Sequence, residues 1–420
     1  MTDREMLEFR KVIGWERVKN DLNRDASPGA RYKALGFTKV DEVLMVDEWN
    51  LLVEVFDLLA YYGTVREALL PVNCGVVDPR LWARMEDDRS EQFGHAHQLY
   101  SVMIKDEPHK AEKLLTGRYR LIFVANLANQ IAERILWGEL STRQGDHWRQ
   151  GPALKGLGLD DFSRRYIQRI VSYLVSKGNA KFTDCSGWDW SVRLWLALDV
   201  AQQLAAGAYE DRAGWSFTAA MCAQVVCVFV KYIVFGDGEV LLDGMLDGSV
   251  WPSGLFITTY LNSWMRIYIA IVVRQLLGGV DDTALSAMAN GDDCGENQDA
   301  SAAEVAEAYR RVGVRVKEVH DVKDGDEVEF CSTMFEAVPF REARFCGRLV
   351  SAEKSIYRFA STRATALGHD AQRASAMRFE LRHSPELERF NNVVAQLYIA
   401  GKFDAASNEL VAEGLFSLQG

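Results

Sequence analysis

Eight acidic residues and no lysine or arginine fall between Gln275 and Tyr309, and inside that window lies Asn290-Gly-Asp-Asp-Cys-Gly295. Glycine takes a positive φ angle without steric cost, so Gly291 suits the tip of a tight hairpin that presents Asp292 and Asp293. Carboxylates gathered this densely repel one another unless a cation joins them, and their hard oxygens suit Mg²⁺ or Mn²⁺. A lone Gly-Asp-Asp turn is more often a plain hairpin. The metal reading therefore depends on partners elsewhere in the chain.

With 420 residues, 48% of them hydrophobic, the chain can bury a large core and should form more than one lobe. The most apolar run, Ala219 to Val230, contains Gln224 and falls short of the roughly 20 residues that a membrane helix needs, so it reads as a buried helix. Met1-Thr-Asp-Arg-Glu5 carries no apolar signal region, and no targeting segment is expected. Seven cysteines without a CxxC pair give no zinc or disulfide framework, which points to a reducing cytosol. A net charge of −11 argues against coating nucleic acid by bulk electrostatics. Local excess is different: five basic against three acidic residues from Lys105 to Arg120, and ten against six from Arg341 to Arg389. Cationic walls around an anionic floor suit a polyanionic substrate with its metals.

Met6, Phe9, Val12, Ile13, Val18 and Leu22 predict an amphipathic helix over residues 1–24, stopped at Asp25-Ala-Ser-Pro-Gly29. A second helix is expected from Leu44 to Tyr62. Arg118 and Arg120 alternate with Tyr119 and Leu121, as on a strand whose cationic face can clamp phosphates. Phe182-Thr183 leads to Asp184 at a strand end, and Gly187 turns the chain past Asp189. A carboxylate there serves as a metal ligand or as a helix cap. Trp188 and Trp190 are expected as core anchors, and Cys185, Cys294 and Cys331 as small packing groups. His95 and His97 lack companion ligands.

Helices are expected at Val192–Ala205 and Trp215–Phe235, followed by a turn-rich acidic stretch from Gly236 to Gly248. Ser253-Gly254 reads as a flexible loop opening a helix on which Thr258 and Asn262 share one face. A buried Asn262 needs a partner or a ligand. Ser301–Val312 reads as helix, Val314–Val319 and Glu327–Phe335 as strands, and the region after Phe340 as basic and helical, interrupted by Pro385.

In order and spacing, Asp184-Cys-Ser-Gly-Trp-Asp189-Trp-Ser-Val, Ser253-Gly-x-x-x-Thr258-x-x-x-Asn262 and Gly291-Asp-Asp resemble motifs A, B and C of viral RNA-dependent RNA polymerases. The nearest resemblance is to the sobemovirus-like and luteovirus-like branch of positive-strand RNA viruses. Ser27-Pro-Gly29, Lys105-Asp-Glu to Arg120-Leu-Ile, and Phe330-Cys-Ser resemble motifs G, F and E.

The resemblance implies an α/β right-hand polymerase with an antiparallel palm sheet. Fingers would span residues 1–172, palm 173–340 with a fingers insertion near 205–250, and a mainly helical thumb 341–420. It implies template-directed RNA synthesis from ribonucleoside triphosphates, with two Mg²⁺ or Mn²⁺ ions held by Asp184, Asp292 and Asp293. Lys105, Arg118 and Arg120 would neutralise the triphosphate. Asp189 and Asn262, with Thr258, Ser253 and Gly254, would bind the nucleotide and read its 2′-hydroxyl. Lys317 and Lys323 compete as general acid. The partners would be the RNA template and product, with initiation either de novo or from a genome-linked protein primer. The host cytoplasm, at membrane-associated replication sites, would be the place of action, and the short segment before motif G suits release from a polyprotein. A reverse transcriptase shares the palm, but Asp189, Asn262 and Gly291 argue against it. A catalytically inactive RNA-binding protein with this fold would not need every acidic ligand, and all are present.

Overall fold

A computed structural model describes residues 2–64, 99–105, 114–117, 119–158, 160–207, 216–229, 231–236, 239–243, 249–279, 286–338, 347–361 and 368–413. Arg118, His95 and His97 lie outside the described residues.

The N-terminal part is helical: α1 Asp3–Val12, α2 Trp15–Asn20, α3 Ala30–Ala34, α4 Val40–Val46 and α5 Glu48–Thr64. The helix expected over residues 1–24 is broken because Gly14 adopts φ +62°, and Val12, placed on its apolar face by spacing alone, is exposed. Likewise Asp47 leaves helical geometry (φ −132°, ψ 25°) and separates α4 from α5. Strands β1 Leu99–Ile104 and β2 Leu121–Ala125 form an antiparallel hairpin. Tyr119 and Arg120 precede β2 rather than forming its face, although the Lys105 amide still donates to the Arg120 carbonyl (2.9 Å). The helices α6 Leu127–Asp146 and α7 Asp161–Ser176 follow.

Next come β3 Ala180–Cys185, the short α8 Trp188–Ser191, α9 Leu194–Ala206 and α10 Phe217–Phe229. Trp188 is buried as expected, whereas Trp190 is 62% exposed, because a single turn of helix points residues two apart in opposite directions. The helix expected to run to Phe235 stops at Phe229. Lys231–Val234 is β4, paired with β5 Val240–Asp243, since an apolar run does not by itself separate helix from strand. Then come α11 Thr258–Leu276, β6 Ala287–Asn290, β7 Asp293–Asn297, α12 Ala302–Arg311 and β8 Val316–Val322. The single strand expected over Glu327–Phe335 is a hairpin of β9 Glu327–Phe330 and β10 Thr333–Glu336, with Cys331 and Ser332 both at positive φ (51° and 55°). After β11 Arg348–Leu349, four helices close the described chain: α13 Ala352–Ser361, α14 His369–Leu381, α15 Leu387–Ile399 and α16 Ala405–Ala412. Pro385 sits in the break between α14 and α15, as expected.

The strands form three sheets, ordered β2-β1-β4-β5, β6-β7-β3-β8 and β11-β10-β9. The second is antiparallel throughout and carries the acidic turn; in the first, β1 and β4 run parallel. Residues of α5, α6, α9, α10 and α11 bury the largest apolar cluster. A second cluster lies between α7 and strands β3, β9 and β10, and a third joins the C-terminal helices. No helix among the described residues is long and apolar enough to cross a membrane.

Candidate active site

The acidic turn takes the predicted form. Asn290 pairs with Asp293 across a two-residue connection of Gly291 and Asp292, and Gly291 has φ +67°. Strand β3 lies beside β7 in an antiparallel register that pairs Thr183 with Cys294, so the next residues along, Asp184 and Asp293, come opposite each other. About a hundred residues of sequence are closed by this pairing. Burial, reinforced by the charges of Asp292 and Asp184, pushes the Asp293 carboxyl up to about 6. The amide of Cys331, at the strained β9–β10 turn, donates to that carboxylate.

On the other side of Asp184, β8 pairs with β3 and brings Lys317 alongside: Nζ donates to Asp184 Oδ2 at 3.1 Å. This hydrogen bond raises the Lys317 pKa, keeping the ammonium charged. Lys323 falls past the far end of β8, where its amide donates to Asp326 (2.9 Å). Asp184, Asp293 and Lys317 share the wall of a cleft of about 640 Å³ with Glu329 and Ser332.

The donors are all hard oxygens, and burial together with their mutual repulsion raises the Asp293 pKa, which fits a divalent cation. Among the described residues no three His, Cys, Asp or Glu side chains form a ready metal cage. Mg²⁺ is ordinarily held by one or two carboxylates together with substrate phosphates.

The second half of the site gathers at the start of α11. Ser253 and Gly254 form the turn before it, and the Ser253 carbonyl accepts from the Phe123 amide of β2 (2.8 Å). Gly254 has φ +115°, and a Cβ there would sit 2.8 Å from the Phe123 carbonyl oxygen, so only glycine allows this approach. Thr258 Oγ1 closes the loop by donating to the Pro252 carbonyl (3.1 Å). One turn on, Asn262 is 6% exposed and its Oδ1 has no hydrogen-bond partner among the described residues. Asp189 adjoins this loop, its carbonyl accepting from the Trp251 amide (2.7 Å). Burial and the nearby Asp292 push the Asp189 carboxyl up to about 6, against the opposing charge of Arg120. Asp184, Asp189, Asp292, Asp293, Lys317 and Arg120 thus meet, with Lys105 joined through the Arg120 backbone.

Two buried groups escaped the sequence reading. Glu133 on α6 receives the Phe256 amide of the loop (3.2 Å) and Gln224 Nε2 from α10 (3.0 Å); Gln224 Oε1 in turn accepts from Trp137 Nε1 (3.2 Å). Burial pushes the Glu133 carboxyl up to about 8. Arg266, fully buried on α11, donates from Nε to the Asp292 carbonyl (3.2 Å), from Nη1 to Tyr309 Oη (2.9 Å) and from Nη2 to Thr183 Oγ1. A charge inside an apolar helix pattern is the one sign of either in the sequence.

The family model described as viral RNA-directed RNA polymerase matches residues 95–367. The RNA-directed RNA polymerase of Mushroom bacilliform virus is 30% identical over 376 residues, covering 88% of this chain and 82% of that protein. Protein P1-P2 of Turnip yellows virus is 28% identical over 306 residues, 68% of this chain, which spans about a quarter of that protein (26%). Among solved structures, the Sicinivirus 3Dpol RNA dependent RNA polymerase superposes with a TM-score of 0.55 at 17% identity, over 80% of this chain and 71% of that one. The mixed α/β architecture is thus that of a right-hand polymerase. By sequence and by fold, the chain belongs to the viral RNA-directed RNA polymerases and is an enzyme of RNA-templated RNA synthesis.

Proposed function

We propose that the chain joins ribonucleoside triphosphates on an RNA template by two-metal nucleotidyl transfer, with Asp184 and Asp292 as the principal ligands of two Mg²⁺ or Mn²⁺ ions and Asp293 as the weaker one. The observation that carries this reading is the juxtaposition of Asp184 with the Gly291-Asp292-Asp293 turn across two paired strands. Bound there, the ions would lower the pKa of the attacking hydroxyl and stabilise charge on the transferred phosphoryl group.

The protein's own groups do the rest. Lys317 would protonate the leaving pyrophosphate, a role supported by its ammonium lying beside Asp184; Lys323 lies past the strand end. Lys105, Arg118 and Arg120 neutralise the triphosphate, a role supported for Arg120 by its nearness to Asp189. Asn262, whose Oδ1 has no partner among the described residues, and Asp189 receive the ribose hydroxyls, while Thr258, Ser253 and Gly254 shape the loop beneath them.

We assign residues 1–172 to fingers, 173–340 to palm and 341–420 to thumb. The segment near 205–250 belongs with the fingers: its strands β4 and β5 complete the sheet begun by β1 and β2. Primer extension on an RNA template with Mg²⁺ or Mn²⁺ tests the proposal. Wild type should extend, and Asp184→Ala and Asp292→Ala should lose at least about a thousandfold in rate; extension by either at wild-type rate would refute it.

A further inference from the structure

Arg266 is the centre of a buried unit that reaches five elements. Its guanidinium touches β3 through Thr183, the acidic turn through the Asp292 carbonyl, and α12 through Tyr309. The two hydroxyls then pass the charge on: Tyr309 Oη donates to Glu296 Oε1 on β7 at 2.6 Å, and Thr183 Oγ1 donates to the same oxygen at 3.3 Å. Gln298 Nε2 occupies Glu296 Oε2 (2.6 Å). Arg266, Glu296 and Tyr309 are all 0% exposed, and the guanidinium also lies over the Trp188 and Tyr309 rings (5.7 and 4.9 Å to the centroids). A second contact from α11, Ser263 Oγ accepting from the Gly291 amide (2.9 Å), grips the same turn.

A buried ion pair bridged by hydroxyls stabilises little compared with apolar packing, so its value lies in geometry. Thr183 immediately precedes Asp184, and the carbonyl that Arg266 holds belongs to Asp292 itself. We propose that Arg266 is a positioning residue that fixes the spacing of Asp184 and Asp292 and so sets the affinity of the site for divalent cations. The inference rests on the reading of those two aspartates as metal ligands. A lysine in its place offers a point charge and cannot present three fixed donors in a plane.

The test is Mn²⁺ titration of the nucleotide-free chain, followed by electron paramagnetic resonance of free Mn²⁺. Arg266→Lys should weaken binding about tenfold or more, the usual effect of removing a group that orients a metal ligand. Tyr309→Phe should weaken it about threefold, since one bridge remains. Phe390→Leu, a core truncation in the C-terminal helices, controls for loss of stability and should bind as wild type does. Wild-type affinity in both Arg266→Lys and Tyr309→Phe, with Asp184→Ala impaired, overturns the proposal while leaving the metal reading intact. So does an equal loss in Phe390→Leu. Undiminished binding in Asp184→Ala and Asp292→Ala removes the metal reading and the proposal together. Should Arg266→Lys fail to fold, the Tyr309→Phe affinity decides alone.

Discussion

Leaving a buried amide oxygen without a partner costs about 1–3 kcal/mol, and Asn262 Oδ1 has no donor among the described residues. A ribose 2′-hydroxyl is such a donor and a deoxyribose is not. Asn262→Ala is therefore expected to narrow the preference for ribonucleotides over deoxynucleotides by about tenfold or more, read from competing incorporation on one RNA template. An unchanged ratio would mean that the amide is only a packing group. Lys317 invites a separate measurement. If it protonates the leaving group, Lys317→Met should slow single-turnover addition by about a hundredfold, while Lys323→Met should leave the rate near wild type. Both side chains were visible in the sequence as candidates, but one-dimensional spacing did not rank them. The strand register separates their positions, pairing Asp184 with Glu318, next to Lys317.

Two hairpins frame the carboxylates, and they are built differently. The β6–β7 turn uses Gly291 for its positive φ, which is why it was legible from sequence. The β9–β10 turn places Cys331 and Ser332 in the left-handed region, where glycine or asparagine is usual, so no turn signal marked it and the two strands read as one. The strain has a use: it aims the Cys331 amide at Asp293. Ser332→Gly should relieve part of it and raise the unfolding free energy by about 0.5–1 kcal/mol, measured by urea denaturation; a loss of stability would show that the serine side chain matters more than its φ. Elements announced by caps and turn glycines were read correctly, such as α12 with its Ser301 capping box. Long apolar stretches were not. Between Trp215 and Phe235, helix and strand share the same residue types, and only the pairing of β4 with β1 and β5 separates them.

For the molecule as a whole, Glu133 ties the folding equilibrium to pH. Its folded carboxyl titrates near 8, above the ordinary value of 4.5, so the native state holds a proton that the unfolded chain releases. This contribution is complete below about pH 4.5 and is lost as pH rises through about 8. Between those limits the wild type should lose a few kcal/mol that Glu133→Gln does not, a difference readable from denaturation at pH 5.5 and 8.5. The basic C-terminal region behaves less simply than its composition suggests. Arg348, Arg382 and Arg389 form ion pairs with Glu327, Asp161 and Glu353, so part of the expected cationic wall is occupied in joining elements. Composition counts charges, whereas the fold decides which of them face a substrate. The parallel pairing of β1 with β4 has a consequence for how the chain is made. Leu99 lies beside Tyr232, so the first hairpin remains a lone two-stranded ribbon, marginal in water, until more than a hundred further residues have emerged from the ribosome. During that interval the β1 edge is open to any extended strand nearby, and a nascent chain stalled before β4 carries the templating edge from which aggregation starts.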